Sequence, residues 1–149
     1  MLYIASDHGG FALKEVLKKY LAELGESCED LGPTTLDFND DYPDYASKLA
    51  ETLLQKDGRG ILLCRNAIGV CVVANKFRGV RAGIGYSTYA AKTMREDDDV
   101  NVLCLPADAL KIDAAKEIVR MWLSTPFSRE PRHQRRIAKI ADIEREHMK

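Results

Sequence analysis

The chain has 149 residues, 46% hydrophobic and 30% charged, with 22 basic and 23 acidic residues and a net charge of -1. That length buries the core of one domain, residues 1–149. The charge balance excludes general binding to nucleic acid or to a membrane surface, and no apolar run reaches the roughly 18 residues of a membrane span.

Met1 to Asp7 lacks the basic stretch and long apolar run of an export signal and reads as a first strand. Leu13, Val16, Leu17, Tyr20, Leu21 and Leu24 then recur at helical spacing, closed by Gly25. Ser27 to Leu31 is a weak strand, and Gly32 to Asp41 a polar loop. Pro43 suits the first turn of a helix whose apolar face is Ala46, Leu49, Ala50, Leu53 and Leu54. Gly60 to Cys64 is an apolar strand, followed by a short helix from Gly69 to about Asn75. Val80 to Ile84 reads as a strand, Thr88 to Arg95 as a helix, and Val100 to Leu105 as the fifth strand. Ile112, Ala115, Val119 and Trp122 mark another helix. After Pro126 a last helix runs from about Arg129 to Glu146.

Strand and helix alternate with little space for hairpins. The expected fold is α/β, a five-stranded parallel sheet with helices on both faces in three layers. Ligands in such sheets bind at the carboxyl ends of the strands. Asp7 and His8, Cys64 to Gly69, Gly85 and Tyr86, and Pro106 to Asp108 therefore fall along one edge. The last helix carries many charges beside Ile137, Ile140 and Ile143, a pattern that fits packing on a neighbouring subunit.

The most informative stretch is Gly60-Ile61-Leu62-Leu63-Cys64 followed by Arg65-Asn66-Ala67-Ile68-Gly69. It delivers a thiol to a turn that opens a helix, where amides favour a thiolate and can hold an anion. A buried cysteine is more often inert packing, and Cys28, Cys71 and Cys104 are read that way. No cysteine forms a Cys-x-x-Cys pair or has a histidine at ligand spacing, so no metal is expected and the thiols read as free in a reducing cytoplasm. Asp7-His8-Gly9-Gly10 can contact polar atoms of a substrate, or cap a helix and leave a surface histidine. Arg129, Arg132 and Arg136 share a helix face that suits surface ion pairs or a phosphate. Asp97-Asp98-Asp99 is a solvated charge run or, since clustered carboxylates repel, a source of a general acid. Because the run precedes the fifth strand, it leaves the edge opposite the thiol and reaches an active site only from another subunit.

With Ser6-Asp7-His8-Gly9-Gly10-Phe11, Asp41-Tyr42-Pro43-Asp44-Tyr45-Ala46, Gly60 to Cys64, Ala74-Asn75-Lys76, Gly79-Val80-Arg81-Ala82, Asn101-Val102-Leu103 and Arg132-His133-Gln134-Arg135-Arg136 in this order and spacing, the chain resembles the type B ribose-5-phosphate isomerase family, which includes the allose- and galactose-6-phosphate isomerases. The resemblance implies a Rossmann-like fold, a homodimer or dimer of dimers with active sites built from two subunits, and aldose–ketose isomerisation of a sugar phosphate without a cofactor. It makes Cys64 the base that moves a proton between C1 and C2. The amides of Arg65, Asn66, Ala67, Ile68, Gly69 and Val70 hold the enediolate oxygen, with Asn66 where the family often has Thr or Ser. Asp7, His8 and Tyr42 bind the sugar, and Arg132 and Arg136 the phosphate.

Three departures accompany it. Arg65 to Gly69 replaces a Gly-Thr-Gly-x-Gly turn, so Ala67 either forces a different turn or takes a negative φ. Asp97 and Asp98 stand where the family has a His-Asn pair that opens the sugar ring, a role Asp97 fills only with a raised pKa. Asp108 replaces an Arg that binds phosphate. The expected substrate is ribose 5-phosphate; the alternatives are a six-carbon sugar phosphate and a sugar-phosphate-binding protein without turnover.

Overall fold

A computed structural model of the chain describes residues 1–148. It contains β1 (Leu2–Ser6), α1 (Phe11–Glu23), β2 (Cys28–Asp30), α2 (Tyr42–Gln55), β3 (Arg59–Cys64), α3 (Ile68–Ala74), β4 (Ala82–Ile84), α4 (Thr88–Asp98), β5 (Val102–Pro106), α5 (Ile112–Ser124) and α6 (Pro131–His147). The five strands form one sheet in the order β2-β1-β3-β5-β4, and every pairing is parallel. The expected three-layer fold is the observed one. No helix among the described residues is long and apolar enough to cross a membrane.

The layers follow from residue spacing. Leu13, Leu17 and Leu21 recur every fourth position in α1 and join Ala115, Ile118, Val119 and Trp122 of α5 and Ala91 of α4 on one face of the sheet. Ala46, Leu49 and Ala50 of α2 and Val70 and Ala74 of α3 cover the other face. The central strands β1, β3 and β5 are buried almost throughout. Such continuous apolar runs are what a parallel sheet covered on both faces requires. The strand order runs outward from β1 and β3 in opposite directions, so a crevice opens beyond their carboxyl ends.

A buried ion pair fixes the loop that reaches this crevice. Lys14 of α1 is fully buried, and its ammonium donates to Asp30 at 2.8 Å and to the Pro33 carbonyl. Asp30 also accepts from Lys18 at 2.7 Å and from the Gly32 amide at 2.9 Å. Burial raises the Asp30 pKa, but the hydrogen bonds from Lys14, Lys18 and Gly32 outweigh it and hold the carboxyl below its ordinary value. The loop from Gly32 onward is thereby anchored at its start to both α1 and β2.

Two boundaries differ from the sequence reading. The acidic run does not form a loop: α4 continues through Asp97 and Asp98, and Asp99 closes it in the left-handed region, φ 47°. Arg95 and Arg81, both bonded to Asp99, compensate the charge there. Arg129 precedes α6 with φ 58° and does not share its face with Arg132 and Arg136. Pro131 sets the helix start instead. Only His133 of α6 is buried; Ile140 and Ile143 are exposed.

Candidate functional site

The crevice is a cleft of about 470 Å³ lined by Asp7, His8, Tyr42, Cys64, Arg65, Asn66, Ile68, Gly69 and Val72. Seven of these were singled out from sequence for binding or chemistry, along with Arg65; Val72 was not. β1 delivers Asp7 and His8 by ending at Ser6, and β3 delivers Cys64 as its last residue. Gly10 lets α1 start against β3, because a Cβ there would lie 2.7 Å from the Leu63 carbonyl carbon.

Cys64 is 4% exposed. Its carbonyl accepts from the Ala107 amide at 2.9 Å, which ties the strand end to the turn after β5. Its thiol points at Asn66 Oδ1, 3.8 Å away, and the same oxygen accepts from the Ile68 amide at 3.0 Å. Asn66 thus closes a side-chain turn that both starts α3 and orients the thiol. The amides of Gly69 and Val70, in the first turn of α3, have no protein acceptor among the described residues. Such donors suit an oxygen that acquires negative charge.

Ala67 settles one of the open expectations. It has φ 64° and ψ -8°, in the left-handed region, so of the two alternatives the negative φ is excluded. The turn needs positive φ, and alanine adopts it at a cost of about 1 kcal/mol. Its methyl is fully buried among α2, β3 and α3. Tyr42, the first residue of α2, lays its ring directly on Gly69; a Cβ at Gly69 would come within 2.6 Å of ring carbons.

Asp7 is 6% exposed, and its carboxylate accepts from the Gly10 amide at 3.2 Å. It stabilises the turn before α1 and lines the cleft, while Gly10 rather than Asp7 is the N-cap of α1. His8 is not a free surface histidine. Its amide donates to Asp40 Oδ1 at 3.0 Å and its ring Nδ1 lies 2.6 Å from the same oxygen. Asp40 accepts only, so Nδ1 carries the proton. Phe38 stands beside the ring, 6.2 Å between centroids. Sequence reasoning missed Asp40, one of several polar residues in a loop with no periodicity to set it apart. Its neighbours Asp41-Tyr42-Pro43 were the nearest signal.

Asp7, His8 and Asp40 offer three ligand atoms within 4.8 Å of one another. The short His8–Asp40 contact commits two of those atoms to each other. Arg65 and Asp108 face each other at the cleft mouth, 3.5 Å apart and both largely exposed.

The other cysteines pack as expected. Burial raises the thiol pKa of Cys104 far above its ordinary value and that of Cys28 to about 11. A hydrogen bond from Cys104 lowers Cys71 to about 7 against the effect of burial. Cys71 points at the Ala82 carbonyl, 3.5 Å away, on the β4 side of α3.

Four expected site residues are elsewhere. Asp97 lies 3.5 Å from Nε2 of the buried His133, whose Nδ1 meets Ser128 Oγ at 2.6 Å. Asp98 lines a second cavity of about 670 Å³ between β4, α4 and α6, with Ile140, Ile143 and Glu144. Arg132 pairs with Glu130, and Arg136 is exposed on the same helix. Within one chain none of these four lines the thiol cleft.

Residues 2–140 match the model of the Ribose/Galactose Isomerase family. The chain is 37% identical over 140 residues to ribose-5-phosphate isomerase B of Escherichia coli, covering 93% of this chain and 92% of the relative. It is 38% identical over 127 residues to D-erythrulose-4-phosphate isomerase of Pectobacterium atrosepticum, covering 83% and 82%. Its fold superposes with a TM-score of 0.92 on the crystal structure of ribose-5-phosphate isomerase B from Mycoplasma genitalium with bound ribulose-5-phosphate, at 39% identity over 97% of this chain and 96% of the other.

Proposed function

The chain belongs to the Ribose/Galactose Isomerase family and is an aldose–ketose isomerase of sugar phosphates, and from that premise we propose that it interconverts ribose 5-phosphate and ribulose 5-phosphate with Cys64 as the base. The carrying observation is the cleft itself. One thiol at a strand end is oriented by Asn66, beside helix-start amides with no protein acceptor among the described residues, in a cleft also lined by Asp7, His8 and Tyr42.

As thiolate, Cys64 takes the proton from C2 of the open-chain aldose, and the electron pair moves to form a C1–C2 enediolate. The amides of Arg65 to Val70 stabilise the developing oxyanion. The C2 hydroxyl proton passes to O1, the carbon proton returns at C1, and the C2 oxygen becomes the ketose carbonyl. Nothing is oxidised or reduced overall, so no cofactor enters the reading. Asp7, His8 and Tyr42 hold the sugar hydroxyls.

A phosphate calls for cations, and the one in the cleft, Arg65, faces Asp108. We assign phosphate to Arg132 and Arg136 on α6 of a second copy of the chain, whose α4 carries Asp97 and Asp98 to the far side of the sugar. Support comes from the four-residue spacing, which puts both guanidinium groups on one face, and from the exposed Ile140 and Ile143 of the same helix. Four free thiols fit a cytoplasmic location.

Formation of ribulose 5-phosphate from ribose 5-phosphate by the wild-type protein, beside Cys64→Ala, tests the reading. Turnover by the wild type and its loss in the variant support it. Turnover retained in the variant excludes Cys64 as the base, and wild-type inactivity excludes the substrate.

A further inference from the structure

The last turn of α4 holds the segment that leads from α5 into α6. Three successive residues there each take one anchor. The Arg95 guanidinium donates to the Thr125 carbonyl at 3.3 Å. The Glu96 carbonyl accepts from the Ser128 amide at 3.2 Å. Asp97 stands 3.5 Å from Nε2 of His133, the one buried residue of α6. The other ring nitrogen, Nδ1, meets Ser128 Oγ at 2.6 Å, and that oxygen accepts from the Glu130 amide at 3.3 Å. As a carboxylate Asp97 only accepts, so the hydrogen at Nε2 faces it, and Nδ1 of the neutral ring accepts from the Ser128 hydroxyl. Both ring nitrogens and the hydroxyl are then satisfied.

The seat of His133 sets the rotation of the helix. Successive helical residues are about 100° apart, so Ile140 and Glu144 return to within about 20° of the His133 direction. Both line the cavity under the helix, and Glu144 accepts there from the Gly79 amide at 3.0 Å. Arg132 and Arg136 fall about 100° and about 60° from the His133 direction, on the same flank, and both are exposed. The Glu144 contact lies about three turns away. At the end that carries the arginines, the seat is made by Asp97 and Ser128.

Resting on the isomerase reading and on the assignment of phosphate to Arg132 and Arg136 of a second copy, we propose that Asp97 is a positioning residue for the phosphate: it seats His133, and His133 aims the two arginines. This role differs in kind from the ring-opening role that the resemblance implies for Asp97. A seat for Nε2–H needs only an acceptor oxygen, which asparagine also carries. An acid needs a proton to give, which asparagine lacks.

The experiment measures kcat and KM of wild type, Asp97→Ala and Asp97→Asn with ribose 5-phosphate and, in the reverse direction, with ribulose 5-phosphate. The second sugar stays open-chain, because its carbonyl is at C2 and its O5 is esterified. Both sugars carry the same phosphate. Asp97→Ala is expected to raise KM about 10-fold for both while kcat stays within about 2-fold, the pattern of binding lost equally from ground state and transition state. Asp97→Asn recovers most of that loss. Competitive inhibition by inorganic phosphate weakens in step with KM. Ser128→Ala, which removes the other partner of His133, raises KM about 3-fold. Thermal unfolding beside the kinetics shows that each variant is folded.

A fall in kcat shared by Asp97→Ala and Asp97→Asn and confined to ribose 5-phosphate overturns the proposal and makes Asp97 the ring-opening acid. An unchanged KM in Asp97→Ala also overturns it. A folded wild type inert toward both sugars removes the isomerase reading itself. An unchanged KM in Arg132→Ala removes the second-copy phosphate site. A raised KM in Arg132→Ala beside an unchanged one in Asp97→Ala removes only the role of Asp97.

Discussion

The cleft at Cys64 and the cavity under α6 are built on different terms. In the cleft every side chain is set by its own chain: β1 and β3 end beneath it, Asn66 orients the thiol, and Asp40 orients His8. Outside the cavity under α6, on the helix itself, the groups suited to an anion face solvent. Arg132 holds an exposed Glu130 and Arg136 is exposed, next to uncovered Ile140 and Ile143. The first region has geometry for chemistry on two carbons but little cationic charge for a phosphate. The second has cations on a helix surface open to solvent. A reaction on a sugar phosphate needs both, and the sheet separates them. On the proposal that a second copy of α6 completes the site, the cations come from that copy and the sugar-facing groups from the first.

The largest effect expected breaks the first region alone. Cys64→Ala lowers kcat/KM by about 10³ to 10⁴, the weight of a positioned general base. Cys64 is only 4% exposed and belongs to the core cluster below α2. The variant therefore loses about 1 kcal/mol of stability and stays folded. Steady-state kinetics beside thermal unfolding checks both parts.

Next is the support beneath the cleft. Asp30→Asn leaves the Lys14 ammonium buried with the Pro33 carbonyl as its main partner, at a cost of about 3 kcal/mol, readable by chemical denaturation. The wild-type pair also predicts a pH dependence. The Asp30 pKa is lowered in the folded chain, so its stabilisation is fully present above the unfolded value of about 3.9. It is lost as pH falls from there through the lower folded value. Unfolding free energy measured from pH 6 to pH 3 should drop more steeply in the wild type than in Asp30→Asn below about pH 4.

The comparison sharpens most when the two regions are broken separately. Arg132→Ala raises KM for the phosphorylated substrate about 30-fold, as loss of a charge-assisted contact of about 2 kcal/mol does. Mixed with Cys64→Ala after dissociation and reassembly, it should regain turnover, because a mixed dimer contains one site with both wild-type halves. No regain on mixing means that each chain completes its own site, and the proposed division fails.

Much of this arrangement was legible in the chain, for identifiable reasons. Spacing of Leu13, Leu17 and Leu21, and the unbroken apolar run of Gly60 to Cys64, reflect burial against a sheet and survive in any reading of periodicity. The edge holding Asp7, His8 and Cys64 follows from strand direction alone. Strand order did not, since it depends on which crossover packs where. Asp40 escaped notice because its role comes from a contact 32 residues away in sequence, made by a loop with no pattern. The acidic run was read as solvated loop because a helix end bearing three aspartates looks unfavourable until Arg81 and Arg95 are seen against it.

The smallest expected effect tests the turn that joins Cys64 to α3. At φ 64° alanine bears about 1 kcal/mol of strain. Ala67→Gly relieves it but frees the unfolded chain, a loss of about 0.7 kcal/mol, and removes a buried methyl. The terms nearly cancel, so stability should change by less than about 0.5 kcal/mol. A negative φ would offer no relief, and glycine would then cost about 1.5 kcal/mol. Ala67→Val sets the opposite limit, because a β-branched side chain is a steric outlier at positive φ, and the cleft should lose its geometry together with its turnover. A neutral glycine and a damaging valine, measured by denaturation and by turnover, confirm that the α3 side of the cleft, proposed to hold the oxyanion, rests on a left-handed residue that happens to be alanine. Equal effects from the two would mean that the turn relaxes to another backbone, and with it the amides expected to face the substrate.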